Sequence, residues 1–214
     1  MCYNIGFYCI VNMKNWIYLK DTIETYLKSV KKLCPKITDE ELVYFKSGLT
    51  ITELEPKYFY IQAGVLQKDV GYVHSGLLRA FYIDDKGYEI TVNFTREGNY
   101  ASHYATFGTQ KPSKFYFQCI EPSIIINLSY THIQNCYDKY PVFERYIRLI
   151  VEEAHSNLLS RMEGFLFDNA ETRYLNFMTE NPDLYNRVSL TDLCTYLGIE
   201  RQSLTRIRKK ILHK

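Results

Sequence analysis

Hydrophobic and polar positions change their rhythm twice along this chain, and the changes divide it into three parts. From about residue 14 to residue 47 the spacing predicts helices, carried by "DTIETYLKSVKKL" and then "TDEELVYFKSGL". In the second of these, Thr38 with Glu41 three positions on forms a capping box, which satisfies free amides at a helix start. From Leu49 to Ser129 the runs shorten and become rich in β-formers. "GLLRAFYIDD" and "YEITVNFT" share a DDKG hairpin turn, and "KFYFQCI" and "SIIINLS" flank Glu121-Pro122. Gly64, Gly71, Gly76, Gly87, Gly98 and Gly108 punctuate the region at intervals suited to a compact antiparallel barrel or sandwich.

The third part is helical again. In "YPVFERYIRLIVEEAHSNLLSRMEGFLF" apolar residues recur every three or four positions, at Phe143, Ile147, Ile150, Ala154, Leu158, Met162 and Phe165. A single helix of this length is about 38 Å long at about 1.5 Å per residue. Its stripe fits either a seam with a second copy or a cover for the preceding barrel. The stripe runs on to the far end, beyond the reach of one small barrel, which favours the seam. Phe143, Ile147, Ile150, Ala154, Leu158 and Met162 are therefore the expected dimer interface. Asp168 with Glu171 predicts a fresh capping box and a new helix, which stops at Asn181-Pro182, and Ser189 with Asp192 caps the next.

That next helix presents Leu190, Leu193, Cys194 and Leu197, then breaks at Gly198. A second begins near Arg201, with Leu204, Ile207 and Ile211 on one face. Such a pair has the requirements of a helix-turn-helix: a small residue, Cys194, where backbones approach, and a glycine for the turn. Ile199, Leu204 and Ile207 fill the wedge between the helices. Glu200 is a weaker cap than Ser, Thr or Asp would be. The outward face carries Arg201, Gln202, Ser203, Thr205, Arg206, Arg208, Lys209 and Lys210, the expected DNA-binding residues. Arg201, Gln202 and Arg206, near the helix start, are the candidates for base edges, because Arg pairs with guanine and Gln with adenine. Arg208, Lys209 and Lys210 suit phosphate. The competing reading is a helical hairpin with a solvated basic face.

Charge sharpens this reading. The chain of 214 residues has a formal net charge of only +2, yet residues 185–214 hold seven Lys and Arg against Asp192 and Glu200. A basic tip on a mildly acidic body predicts a polyanion partner for the tip alone. With 46% apolar residues the chain can bury a core. No run of apolar residues is long enough to span a membrane, and the apolar start lacks the charged and cleavage regions of a signal peptide. Met13 would serve equally well as a first residue. The six scattered cysteines show no metal-ligand spacing and predict reduced thiols in a cytoplasmic protein. No metal site, cofactor or catalytic residue is expected. There is no HxH for a cupin metal, no GxSxG, no HExxH and no phosphate-cradling glycine loop.

The order of a glycine-punctuated β region, a long stripe helix, a short helix and a helix-turn-helix resembles the CRP/FNR family of bacterial transcription regulators. The likeness is strongest in "LTDLCTYLGIERQSLTRIRKK" and in "VGYVHSGLLRAFYIDDKGYEITVNFTREGNY". It implies an α+β chain with a double-stranded β-helix, the jelly-roll-like cyclic-nucleotide-binding fold, then a long dimerisation helix and a C-terminal helix-turn-helix domain. The expected divisions are an N-terminal extension at 1–20, the effector-type domain at 21–140, the dimerisation helix at 141–167 and the DNA-binding domain at 168–214. Implied partners are double-stranded DNA, a second copy of the chain, RNA polymerase and a small-molecule effector of unknown identity. Aligned from Gly98, the family's Gly-Glu-Leu helix falls on Ser102, His103 and Tyr104, and its phosphate-binding Arg-Ser pair on Ser113 and Lys114. These six residues are the candidate effector pocket. With no arginine fork and no glutamate there, a response to cyclic AMP is not expected. His74, His103 and His132 are expected to be ordinary β-roll residues. The family's winged hairpin is not expected after the last helix, so affinity is expected to lean on that helix and on a dimer's second half-site. The alternative function is a ligand-sensing or protein-interaction module with no DNA role, and its binding would not weaken steeply with salt.

Overall fold

The computed structural model describes residues 13–212. Of the expected extension at 1–20, residues 1–12 lie outside the described residues, and the remainder belongs to the first helix, α1 (Met13–Leu33). Helix α2 (Asp39–Lys46) starts on the predicted capping box. The Thr38 N–H donates to Glu41 Oε2 at 2.6 Å, and the Glu41 N–H donates to Thr38 Oγ1 at 3.3 Å.

Among the described residues eight strands follow, in two four-stranded antiparallel sheets. One has the order β1 (Leu49–Leu54), β8 (Ser123–Ser129), β3 (Asp69–Ser75), β6 (Tyr100–Ala101). The other has the order β2 (Phe59–Ile61), β7 (Tyr116–Cys119), β4 (Leu78–Ile83), β5 (Glu89–Thr95). The α+β class and the jelly-roll-like barrel are those the sequence implied. The DDKG turn joins β4 to β5 as expected. Asp84 Oδ1 accepts the N–H groups of Lys86 and Tyr88, and Gly87 takes φ +84°. The hairpin is not regular. Its register slips between Ala80 and Phe81, leaving Val92 as the extra residue of a β-bulge on β5.

Strand β8 explains why "SIIINLS" is nearly continuous in its apolarity. Ile125 packs inside the barrel with Val73, Leu78 and Phe117, while Ile126 and Leu128 pack outward against α1 and later helices. Asn127 is buried in the same strand and is fully satisfied. It donates to Thr50 Oγ1 at 3.2 Å and Thr52 Oγ1 at 2.9 Å, and accepts from the Tyr60 hydroxyl at 3.0 Å.

Helix α3 (Tyr104–Gly108) interrupts the β region between β6 and β7. Helix α4 (Tyr130–Lys139), which the periodicity did not reveal, starts on a Ser129 cap and buries Ile133 and Cys136. His132 therefore lies on a helix, not in the β-roll. Its Nε2 stands 2.9 Å from the Phe45 carbonyl oxygen and its ring stacks on Tyr44. Helix α5 (Val142–Phe167) is the long stripe helix at its predicted position. Helix α6 (Ala170–Glu180) starts one residue away from expectation. Asp168 closes α5 in extended geometry, so the free cap position falls to Asn169, whose side chain accepts the Thr172 N–H at 3.0 Å.

Between α1, β6 and α5 lies a trio of tyrosines. The hydroxyls of Tyr26, Tyr100 and Tyr146 stand 3.0, 3.4 and 2.5 Å apart, with the ring of Tyr72 4.4 Å from that of Tyr26. Tyr26 and Tyr146 are buried, and burial raises the phenol of Tyr146 to about 12. Among the described residues no helix is long and apolar enough to cross a membrane.

Candidate nucleic-acid interface

The last two helices, α7 (Leu190–Leu197) and α8 (Arg201–Leu212), form the predicted pair. Ser189 accepts the Asp192 N–H at 3.0 Å to start α7. Gly198 ends it at φ +61°, with its own N–H on the last turn. Leu193, Cys194, Leu197, Ile199, Leu204 and Ile207 are all buried, in one cluster with Tyr174, Phe177 and Leu184. Every slot named for the wedge is filled. Glu200 contributes its carbonyl, which accepts the Leu204 N–H at 2.9 Å.

Packing that face leaves the opposite one to solvent. Arg201, Gln202, Thr205, Arg206 and Lys209 are exposed. Ser203 is half-buried. The remaining two cations lean back onto the protein. Arg208 hydrogen-bonds the Tyr185 hydroxyl and lies over its ring, and Lys210 pairs with Glu171 at 2.8 Å.

Two arginines that the sequence reading passed over hold the turn. Arg173 on α6 donates to the carbonyls of Asp168 at 2.7 Å, Leu197 at 3.0 Å and Gly198 at 3.4 Å. Arg161 on α5 donates to the Tyr196 carbonyl at 3.0 Å and to that of Val92 at 2.7 Å. Both guanidiniums lie 5.2 Å from the ring centre of Phe165. Cations at the C-terminal end of α7 satisfy its open carbonyls and oppose its dipole.

The pair is also docked on the barrel. Arg79 on β4 is buried and reaches Glu89 at 2.6 Å, Thr91 Oγ1 at 2.8 Å and Asp192 of α7 at 3.1 Å. The Thr91 N–H donates to Thr195 Oγ1 at 3.1 Å. Arg187 bridges Glu97 at 2.8 Å and Glu121, and Phe94 packs on Tyr196 with ring centres 5.1 Å apart. Arg79 was visible as an arginine inside an apolar strand. Thr91, Thr195 and Arg187 carried no local signal.

On α5 the stripe divides. Phe143 does not reach the proposed seam. It is 1% exposed and stacks on Phe45 at 4.9 Å within the chain's own core, because α2 and α4 cover that end of α5. Ile147 and Ile150 are half-buried, and Ala154 is exposed. Leu158 and Met162 are 62% and 50% exposed, an apolar face turned to solvent.

No family model and no curated relative matches the sequence. Solved structures do match the fold. The c-di-GMP responsive global regulator CLP of Xanthomonas campestris aligns with a TM-score of 0.66 and 15% identity, over 82% of this chain and 92% of that one. FixK2 of Bradyrhizobium japonicum aligns at 0.67 and 13%, over 77% and 85%. A CooA mutant from Carboxydothermus hydrogenoformans aligns at 0.63 and 17%, over 78% of each chain. The fold is that of the CRP/FNR regulators.

In this CRP/FNR fold the candidate effector residues are held by hydrogen bonds to Gln67 and to their neighbours. Gln67, absent from the predicted set, donates to Ser102 Oγ at 2.9 Å and accepts the His103 N–H at 3.0 Å. His103 Nδ1 accepts the Lys114 N–H at 3.2 Å, with Ser113 Oγ 3.4 Å away. Ser113 is buried and donates to the Phe115 carbonyl at 2.8 Å. Burial, then the Lys114 charge, lowers the His103 pKa, which suits a neutral ring accepting at Nδ1. Ser102, His103, Ser113 and Lys114 are thus brought together, with Ser102 and His103 held by Gln67, Ser113 turned to the Phe115 backbone and Lys114 contributing its backbone N–H. Gly98 instead closes the turn into β6, donating to the Val73 carbonyl. Tyr104 lines a separate open groove of about 460 Å³ with Tyr137, Ile147, Arg148 and His155. Among the described residues no cluster of His, Cys, Asp and Glu could hold a metal.

Proposed function

We propose that the chain is a dimeric, sequence-specific DNA-binding transcription regulator that does not respond to cyclic AMP. One observation carries the reading: α8 buries Leu204 and Ile207 while Arg201, Gln202, Thr205, Arg206 and Lys209 face solvent from one surface. A helix so furnished can enter the major groove, with arginine and glutamine near its start at base edges and lysine at phosphate. The exposed Leu158 and Met162 on α5 support pairing with a second copy, which would present two such helices. The slot at Ser102, His103, Ser113 and Lys114 offers neither a carboxylate for a ribose nor an arginine fork for a cyclic phosphate. RNA polymerase, as a further partner, follows from regulation of transcription.

Selection from a pool of random duplexes tests this directly. The expected product is a palindrome with half-sites about 34 Å apart. Retention should fall steeply between low and high salt, as phosphate contacts require. Cyclic AMP should leave it unchanged. Failure to retain any duplex in dilute salt would overturn the reading and favour a protein-interaction module.

A further inference from the structure

Arg161 stands where three elements meet, six residues before the end of α5. Its fork donates to two carbonyls that regular secondary structure leaves open. One is Val92, the extra residue of the β5 bulge, at 2.7 Å; the other is Tyr196, in the last turn of α7, at 3.0 Å. The guanidinium also lies over the Tyr196 ring, 4.3 Å from its centre. Its Nε–H is buried without an acceptor among the described residues. A polar group left in this way is unfavourable, so the two carbonyl bonds and the ring contact must outweigh it. The bulge supplies a second anchor at the same place, because the Thr91 N–H goes to Thr195 of α7. Barrel, long helix and helix-turn-helix are therefore tied at one point by a rigid, planar side chain.

We propose that Arg161 is a positioning residue that fixes the pose of α7 and α8 on α5, and through it the half-site separation that a dimer accepts. The claim rests on the DNA-binding dimer proposed above. Two recognition helices engage one duplex together only if their separation matches the groove repeat. A stiff mount makes that requirement sharp and a loose one blurs it. Lysine at this position keeps the charge but is a point donor, unable to hold two divergent carbonyls in a fixed plane.

The first measurement compares binding to the selected palindrome with binding to versions whose half-sites are one base pair closer or farther. In Arg161→Lys the preference for the optimal spacing should shrink by about fivefold or more, chiefly through weaker binding at the optimum. Ile199→Val, which trims the core of the helix-turn-helix, controls for lost stability and should weaken all spacings by a common factor. An Arg161→Lys protein that weakened all spacings equally would overturn the proposal.

The second measurement needs no DNA. Spin labels at Ser156→Cys and Lys209→Cys, in a background with Cys2 and Cys9 replaced by serine, report the angle between α5 and α8. Both labelled positions are exposed, and the other four cysteines are buried. Diluting the labelled chain with unlabelled chain leaves one label pair per dimer. Arg161→Lys should broaden the distance distribution, and Ile199→Val should not. An unchanged distribution refutes the positioning role whatever the DNA result. A broadened one, when the unlabelled parent chain retains no DNA, removes the DNA-binding reading and leaves the mount standing.

Discussion

At Gly198 the backbone stands at φ +61°, and an added Cβ would come 2.9 Å from Cε1 of Phe165. Gly198→Ala should therefore lower stability by about 1–2 kcal/mol, read from urea unfolding. An unchanged midpoint would mean that Phe165 swings clear and the strain is absorbed. On α8 the two kinds of cation should behave differently. Arg206→Ala is expected to relax base preference at one position per half-site by about 1–3 kcal/mol, while Lys209→Ala weakens all sequences alike and lowers the salt slope by about one. Competition titrations against single-base variants distinguish the two. Arg208 and Lys210 are already engaged with Tyr185 and Glu171, which makes them weaker candidates for phosphate than their sequence position suggested.

Among the elements, α5 has two different neighbours along its length. Its first turns carry Phe143 and Tyr146 into the core, and its second half leaves Leu158 and Met162 bare. A glutamate at Leu158 or Met162 should convert dimers to monomers in sedimentation equilibrium. Binding to a palindrome should fall by about a hundredfold, since the second half-site is then engaged separately. Persistence of the dimer would place the interface elsewhere. The elements most legible in the sequence were those whose burial is one-sided and periodic: α5, α7, α8 and the β4–β5 hairpin. Helix α4 was missed because its buried pair, Ile133 and Cys136, is too short a pattern to outweigh the adjoining β run. The cap at Asn169 was misplaced by one residue because Asp168 offers the same chemistry and only the end of α5 decides between them.

Across the whole molecule, the contacts that organise the site were the least readable. Arg161 and Arg173 bond to carbonyls, which every residue possesses, so no spacing of side chains announces them. Gln67 lies 35 residues from Ser102, and Thr91 lies 104 from Thr195. The docking of the helix-turn-helix on the barrel also has a dependence on pH. Burial alone would raise the Glu97 pKa, but hydrogen bonds from Arg187 and the Gly76 N–H bring it below its ordinary 4.5. An unfolded chain then binds this proton more readily than the folded one. The stabilisation is present above about pH 4.5 and is lost as pH falls through the folded value. Arg187→Ala should accordingly show a smaller drop in melting temperature than the parent between pH 7 and pH 4. Equal drops would remove this pair from the account.

The three phenols between α1, β6 and α5 have a consequence for how the polypeptide tolerates trimming. Each oxygen answers another, so the set is complete only when all three segments are in place. A shortened version beginning after Leu33 would strip Tyr26 away and open a wet gap beside Tyr100 and Tyr146. The leading helix is thus a keystone of the barrel's outer wall and not a detachable prefix.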